Sequence, residues 1–405
     1  MHRLLCAVAL LVAALPLHAA EQAKLNTLTP KEVADGWILL FDGETTFGWS
    51  AADKAKWTVA GGFLAPHPKD GRPLMTTTEF QEFELSLEYR MKEMAVTDLV
   101  LGCDDDCLED KKMMRGYHIP LQRWDVWCQF VVRVADGRCH VTMREYHFGK
   151  PPLEVVLRDK KVTIPRGHIA LVGAGGVVFR NIKLRPINMK PLFNGKDLTG
   201  WKKYEGDKAR SKSEFTVTKE GWLHLKNGPG DLQTVGQYDD FVLQLDCRSN
   251  GKHLNSGIFF RCRPGEYQQG YEAQINNNFN EEKPKEYTIE EYDPKTHELK
   301  GKKKVKFAAV DYGTGAIYRR MPARKQVSKD GEWFTMTVVA HGRHFATWVN
   351  GVQVVDWTDN RPLKDNARNG CRLEKGPISI QGHDPTTDLS FRNFRIAELP
   401  KMEKK

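Results

Sequence analysis

The stretch Glu332–Trp357, "EWFTMTVVAHGRHFATWVNGVQVVDW", decides the fold. Apolar and polar residues alternate in three short runs, which are separated by the turn sequences "HGR" and "NG". A period of two is typical of strands with one buried face, and Asn-Gly between two such runs favours a tight hairpin. The stretch therefore predicts three consecutive antiparallel strands.

Short runs of the same kind, bounded by Gly, Asn and Asp, fill most of the chain, and no helical periodicity persists after the first twenty residues. This pattern favours an all-β fold of sandwich type, with two packed sheets in each domain. The chain has 405 residues, which is more than one ordinary core accommodates. We therefore expect two domains.

An internal repeat supports this division. Three segments recur in the same order: "LLFDGETTFGW" (Leu39–Trp49) as "PLFNGKDLTGW" (Pro191–Trp201), "FELSLEYR" (Phe83–Arg90) as "FVLQLDCR" (Phe241–Arg248), and "VVFRNIKL" (Val177–Leu184) as "LSFRNFRI" (Leu389–Ile396). The sequence therefore predicts two tandem β-sandwich copies, residues 21–188 and 189–400.

The first twenty residues, "MHRLLCAVALLVAALPLHAA", have the pattern of a secretory signal peptide. A basic Arg3 precedes an apolar run, and small residues follow at Ala19 and Ala20. The apolar run is too short to span a bilayer, and no longer run occurs later. We expect a protein that is secreted or periplasmic and not transmembrane.

The net charge of +9 does not indicate nucleic-acid binding. The lysines concentrate in residues 283–306 and in the C-terminal tail, and no basic-aromatic motif accompanies them. Seven cysteines remain after residue 20, an odd number, so at least one has no partner within the chain. Cys103 and Cys107 bracket "DDD", a spacing that allows a local disulfide.

The stretch Gly270–Asn278, "GYEAQINNN", carries a row of polar residues. In a strand, Tyr271 and its alternate residues face one side, and Glu272, Gln274 and Asn276 face the other. A solvated sheet face would explain such a row, but the first copy does not keep it polar. Five polar residues of the second copy have these counterparts in the first: His118 for Glu272, Pro120 for Gln274, Val96 for Asn255, Gly102 for Arg261 and Ala174 for His383.

A merely solvated face would exchange polar residues for other polar residues, whereas most of these positions become apolar or Gly. We therefore predict a site in the second copy and none in the first. The second copy also takes 85 residues from Arg248 to Trp333 where the first takes 37 from Arg90 to Trp127. A long insertion at the rim of a sandwich typically covers or builds a site.

The residue types of this site suit a sugar. Amides and Arg pair with hydroxyl groups, and aromatic rings cover the apolar face of a pyranose. The candidate substrate-binding residues are Asn255, Gln274, Asn276, Asp311, Tyr318 and Trp348. Glu272 is the candidate proton acceptor, and its alternative role is an ion pair with Arg261.

The stretch "QGHDPTTD" adds His383, a candidate general acid or base. A divalent metal held by His383, Asp384 and Asp388 is one alternative, and a turn between two final strands is another. No Gly-x-Ser-x-Gly elbow is present, which argues against acyl transfer.

Residues 190–399 resemble the 3-keto-disaccharide hydrolase domain family, on the segments "LFNGKDLTGW", "NSGIFFR", "GYEAQINN", "GTGAIYRR", "WVNGVQVVDWTD" and "QGHDPTTDLSFRNFRIAEL". The first copy resembles a diverged member. The resemblance implies a concanavalin-like β-jelly roll and cleavage of glycosides already oxidised at carbon 3. The ketone acidifies the C2 proton, so a base removes it and the aglycone leaves by elimination, without the paired carboxylates of an ordinary glycosidase.

For that route we assign catalytic roles by chemistry: Glu272 as base, Arg261 or a metal at the developing oxyanion, and His383 as acid. The alternative function is a non-catalytic carbohydrate-binding module of the cell envelope, which would use the same amides and aromatic rings.

Overall fold

The structure is a computed structural model and describes residues 24–51, 56–67, 72–92, 97–104, 115–122, 125–146, 151, 153–173 and 175–401. The expected signal peptide lies outside these residues. So do Cys107, which the suggested disulfide requires, and Val96 and Ala174 of the repeat comparison. None of the helices in the described part is long and apolar enough to cross a membrane.

The first half begins with helix α1 (Pro30–Asp35), which is short because Thr29 caps its start and Gly36, at φ 89°, ends it. The strands that follow are β1 (Ile38–Leu39), β2 (Trp49–Ala51), β3 (Trp57–Ala60), β4 (Phe63–Pro66), β5 (Leu74–Thr76), β6 (Phe83–Met91), β7 (Thr97–Cys103), β8 (Tyr117–Pro120), β9 (Trp127–Ala135), β10 (Arg138–Tyr146), β11 (Leu153–Lys161), β12 (His168–Gly173) and β13 (Val177–Pro186).

The second half begins after Pro186. Its strands are β14 (Lys190–Pro191), β15 (Trp201–Lys203), β16 (Glu214–Val217), β17 (Leu223–Lys226), β18 (Gly230–Thr234), β19 (Phe241–Ser249), β20 (Ser256–Phe260), β21 (Tyr271–Ile275), β22 (Lys285–Tyr292), β23 (Leu299–Phe307), β24 (Phe334–His341), β25 (His344–Val349), β26 (Val352–Thr358), β27 (Ser379–Gly382) and β28 (Asp388–Glu398). Single 3-10 turns lie at Lys208–Arg210 and Val310–Tyr312.

Each half packs a large sheet on a small one. In the first half the orders are β11-β10-β9-β6-β13-β4-β3 and β2-β5-β12-β7-β8, and β1 also pairs with β13. In the second half they are β16-β17-β28-β19-β24-β25-β26 and β15-β18-β27-β20-β21, and β14 also pairs with β28. The predicted all-β fold of two tandem concanavalin-like β-sandwiches is confirmed.

The three strands predicted from Glu332–Trp357 are β24, β25 and β26, paired as successive antiparallel neighbours. Asn350 and Gly351 join the last two strands, and both have positive φ, as a type I′ turn requires. Gly342 opens the other turn, also with positive φ. Local turn chemistry therefore fixes the register of this hairpin pair.

The first half packs on the outer face of the large sheet of the second half. Residues Val242, Val339, Ala346 and Trp348 of that face belong to the core cluster formed by the first half. The side-chain amide of Gln244 donates to the carbonyl of Gly36 at 2.9 Å. The sheet is therefore buried on both faces, and the small sheet is the part of the second sandwich that keeps an open face.

Strands β22 and β23 pair with each other as a separate hairpin. This hairpin lies in the long insertion that distinguishes the second copy. The imidazole Nδ1 of His297, near its tip, lies 3.0 Å from the carbonyl oxygen of Asn360. The insertion is therefore built as a fixed wall beside the second sandwich.

Candidate active site

A cleft of about 540 Å³ opens on the outer face of the small sheet of the second half. We call it the amide cleft. Alternation directs Leu232, Ile258 and Ile380 into the core. The neighbouring positions on the same strands line the cleft or lie behind it. The lining residues are Arg210, Pro229, Asn255, Tyr267, Gln268, Gln269, Glu272, Gln274, Tyr318, Arg319, Arg368, Asn369, Gln381 and His383.

Glu272 is the one carboxylate among the described residues that line this cleft. Its side chain is only 4% exposed, and burial raises its pKa to about 7. Arg368 opposes this rise, because its Nη2 lies 3.4 Å from Oε2 of Glu272. A carboxyl group with a pKa near neutrality accepts a proton readily and is typical of a general base.

Gly257 provides the space for Glu272. It lies on the adjacent strand β20, where a Cβ atom would stand 2.7 Å from Oε1 of Glu272 and 2.8 Å from its Cγ. Phe259, two residues further along, is paired directly with Glu272. The carboxylate therefore sits in a notch left by a glycine beside a buried aromatic ring.

A second acidic group lies behind the cleft. Asp231 on β18 is 1% exposed, and burial raises its pKa to about 7. The backbone N–H of Gln268 donates to its carboxylate at 3.0 Å. The charge of Asp231 in turn helps to raise the pKa of Glu272. Sequence reasoning missed Asp231, although Asp is rare inside strands, and an Asp in the short strand "GDLQT" is the kind of signal that finds such a group.

Three side-chain amides present oxygens that have no hydrogen-bond partner among the described residues. They are Oδ1 of Asn255, Oε1 of Gln274 and Oε1 of Gln381, and all three residues line the amide cleft. The Gln274 amide nitrogen donates to the carbonyl of Asp311 at 3.0 Å, which leaves its oxygen for a ligand. Unpaired buried acceptors are costly, so these groups fit a ligand with several hydroxyl donors.

Arg368 reaches the cleft from the loop between β26 and β27. Arg361 holds this loop together: it pairs with the carboxylate of Asp359 at 2.8 and 2.7 Å and donates to the carbonyls of Ala367 and Gly370, which flank Arg368, at 2.9 and 2.8 Å. The hydroxyl of Tyr271 donates to the same carboxylate at 2.7 Å. Tyr271 precedes Glu272 on β21, so one buried network holds both the base and its cationic partner.

The prediction that Arg261 lies in the cleft is wrong. Strand β20 ends at Phe260, and Arg261 has φ 48°, so the alternation does not continue to it. Its guanidinium is fully buried elsewhere and contacts Asp240 Oδ1 at 2.7 Å. The suggested ion pair between Arg261 and Glu272 is wrong as well, because Arg368 takes that place.

The prediction that Trp348 covers the sugar ring is also wrong. It lies on the outer face of the large sheet and is 1% exposed. Its indole N–H donates to the carbonyl of Leu39 in the first half at 3.0 Å. Trp348 lies on the large sheet, on a face that the first half covers, whereas the cleft lies on the small sheet.

Two further candidates lie beside the cleft and do not line it. Asn276 follows the end of β21, and its Oδ1 accepts from the backbone N–H of Asn278 at 3.0 Å. The side chain of Asp311 pairs with Lys285 at 3.1 Å, and only its backbone carbonyl reaches Gln274. Neither side chain is therefore placed to contact a ligand in the amide cleft.

Tyr318 and His383 do line the cleft. The backbone N–H of Tyr318 donates to the carbonyl of Glu272 at 2.9 Å. Nδ1 of His383, at the exposed rim, lies 2.7 Å from Oδ2 of Asp384. Asp388 does not join this pair but bonds to His224 at 2.9 Å, and the described residues contain no group of three ligands suited to a metal ion.

Sequence comparison now places the chain in a family. A profile of the 3-keto-alpha-glucoside-1,2-lyase-like domain matches residues 36–127 and 188–397, which is more than half of the chain. The chain belongs to the 3-keto-alpha-glucoside-1,2-lyase-like domain family. The longer match contains every residue that lines the amide cleft.

Individual relatives match more weakly. A 3-keto-disaccharide hydrolase from Bacteroides thetaiotaomicron is 29% identical over 85 residues, which are 18% of this chain and 29% of that protein. A candidate glycosyl hydrolase from Parabacteroides distasonis is 23% identical with a TM-score of 0.38, over 52% of this chain and 94% of its own. A carbohydrate-binding module from Bacillus subtilis is 13% identical with a TM-score of 0.30, over 49% and 94%.

The shorter stretch matched to the 3-keto-alpha-glucoside-1,2-lyase-like family includes the first-half counterpart of Glu272. In the second half Phe259 pairs with Glu272, and in the first half Val100 pairs with His118. His118 Nδ1 lies 3.0 Å from Oδ2 of Asp98. That the first copy has no site of this kind stays a prediction.

Proposed function

We propose that the protein cleaves glycosides whose sugar carries a ketone at carbon 3, and that Glu272 removes the C2 proton. Membership of the 3-keto-alpha-glucoside-1,2-lyase-like family supports this substrate class. The observation that carries the proposal is the setting of Glu272, a single buried carboxylate with a pKa raised to about 7 inside an amide-lined cleft.

The reaction needs only one carboxylate. Glu272 takes the proton from C2, and the electron pair of that bond forms an enolate with the C3 ketone. The enolate then expels the C1 oxygen of the leaving group, so a C1–C2 double bond forms as the C1–O bond breaks. The leaving oxygen receives a proton. Water adds to C1, and C2 regains a proton, which gives the free 3-keto sugar.

The other residues divide the remaining tasks. Arg368, 3.4 Å from Glu272, replaces Arg261 as the cation near the developing enolate. His383, at the rim, is the candidate acid for the leaving oxygen. The amide oxygens of Asn255, Gln274 and Gln381 accept hydrogen bonds from the sugar hydroxyls and orient the ring.

A non-catalytic carbohydrate-binding module is the competing function, because the three unpaired amide oxygens would serve binding equally well. Incubation of the full chain with a 3-keto disaccharide and with its unoxidised parent separates the two functions. The proposal predicts cleavage of the keto form alone. Binding without cleavage of either sugar would favour the module, and equal cleavage of both would exclude the elimination route, since a Glu base cannot remove an unactivated C–H proton.

We also propose that the protein is exported, on the basis of the signal-peptide pattern of residues 1–20. Expression of the full chain with N-terminal sequencing of the mature product tests this. A product that begins near Glu21 in the periplasm or medium supports export, and an uncleaved product in the cytoplasm contradicts it.

A further inference from the structure

A second cleft, of about 600 Å³, lies between the β22–β23 hairpin and the end of β26. We call it the hairpin cleft. Its lining includes Ile289, Tyr292, Arg319, Arg320 and Trp357. The amides of the first cleft are absent from its lining. The two clefts therefore offer different chemistry.

A smaller pocket of about 260 Å³ shares lining residues with both clefts. Glu272, Tyr318 and Arg368 line both this pocket and the amide cleft. Arg319 and Arg320 line both this pocket and the hairpin cleft. Glu272 therefore lines a pocket that borders both clefts.

Trp357 gives the hairpin cleft a fixed aromatic surface. The ring is partly exposed and stacks on Phe345, with ring centroids 5.7 Å apart and 27° between the planes. Tyr271 meets it edge-on at 6.5 Å. The opposite wall is held in place, since His297 contacts Asn360 at 3.0 Å and the hydroxyl of Tyr287 donates to Ala309. A flat ring binds such a surface with little ordering cost.

We propose that the hairpin cleft binds the leaving-group side of the glycoside and holds a flat ring against Trp357. This inference rests on the proposed function. The base acts at C2 and the broken bond is at C1, so the leaving group must extend from the immediate surroundings of Glu272. The sugar hydroxyls occupy the amide cleft, and the pocket beside Arg319 and Arg320 adjoins both Glu272 and the hairpin cleft.

Binding to the full-length Glu272→Gln variant tests this without turnover. The probes are methyl 3-keto-α-glucoside and 4-nitrophenyl 3-keto-α-glucoside, which share the keto sugar and differ in the leaving group. Calorimetry should give a dissociation constant roughly 2- to 10-fold lower for the aryl glycoside, the range expected for one aromatic contact. Adding Trp357→Ala should abolish this preference and leave the binding of the methyl glycoside unchanged.

Trp357→Ala removes the packing of Trp357 on Phe345 and could therefore disturb the fold. A second variant tests the same cleft without changing this contact. Ile289→Trp lies on the hairpin and would narrow the cleft from its outer wall, so it should also reduce the preference. Trp333→Ala is the matched control, since Trp333 lies outside both clefts and meets Trp222 edge-on, with ring centroids 5.0 Å apart.

Two results would overturn the inference while the proposed function stands: equal affinities for the two glycosides, or a preference that survives both Trp357→Ala and Ile289→Trp. If neither glycoside binds, the proposed substrate class fails, and the inference fails with it.

Discussion

Oε2 of Glu272 lies 3.4 Å from Nη2 of Arg368, although the two residues are 96 positions apart in the sequence. Burial raises the pKa of the carboxyl group, and the guanidinium limits that rise. The result is a carboxyl group with a pKa of about 7, which is close to the value at which a general base works best in neutral solution.

Replacement of Glu272 by Gln should reduce kcat by a factor on the order of 10² to 10⁴, because Gln keeps the shape but cannot accept the proton. Ligand affinity and fold should be largely retained. Glu266→Gln is the matched control, since Glu266 is an exposed partner of Arg263 in the preceding loop. Turnover, affinity and melting temperature are measured together. A variant that melts early but turns over normally when folded would make Glu272 structural.

The pH dependence follows from the same residue. Glu272 acts as a base only when ionised, and its pKa is about 7, so kcat/KM should rise with pH up to about that value. Arg368 lowers this pKa, so Arg368→Met should move the rise to higher pH. Arg263→Met should leave it in place. A profile that is flat from pH 5 to 8 would contradict the assignment of the base.

The notch at Gly257 predicts a steric effect on turnover. In Gly257→Ala the new Cβ would stand 2.7 Å from Oε1 of Glu272, so the carboxylate must move. We expect at least a roughly 10-fold loss of kcat, since small displacements of a catalytic group are costly. Gly301→Ala, where a Cβ meets nothing within 4 Å, is the control. Equal activity of the two variants would show that the position of Glu272 is not critical.

The interface between the two halves should weaken in acid. Burial, together with the nearby charges of His344, Arg166, His168 and Arg261, holds the pKa of His341 well below its usual value. Its Nε2 accepts from the backbone N–H of Glu79 at 3.2 Å. Below about pH 6.5, His341 binds a proton in the unfolded chain but not in the folded chain. The free energy of unfolding therefore falls as the pH falls.

The test is the slope of stability against pH. Urea unfolding between pH 7.5 and 5 should show a steeper loss for the parent chain than for His341→Gln, by up to about 1.4 kcal/mol per pH unit for one proton. His253→Gln, at an exposed site, should behave as the parent does. The same slope in all three chains would mean that His341 does not govern acid stability.

Much of the fold is readable from local sequence. Alternation and the Asn350-Gly351 turn are local signals, and they predict β24 to β26 correctly. The position of Glu272 on the open face of β21 follows from the same alternation. These predictions succeed because strand faces and tight turns depend on neighbouring residues.

The predictions that failed depend on distant parts of the chain. Trp348 lies on the large sheet, where the first half covers it, and not on the small sheet that carries the cleft. Arg261 leaves the alternation because its backbone turns to positive φ as β20 ends. Arg368 was missed because it lies on a loop 96 positions further along the sequence, which Arg361 holds in place through the carbonyls of Ala367 and Gly370. The position of each of these side chains depends on tertiary packing. The alternation of apolar and polar residues along a strand carries no information about such packing.

The most direct test of the central claim is the fate of the C2 hydrogen during cleavage. The full-length protein is incubated with an unlabelled 3-keto disaccharide in deuterium oxide, and the released 3-keto sugar is analysed by NMR and mass spectrometry. Sugar kept in the same solvent without protein controls for spontaneous exchange. The proposed route breaks the C2–H bond and rebuilds it from solvent, so the product should carry deuterium at C2. Cleavage that leaves the original hydrogen at C2 would contradict the account.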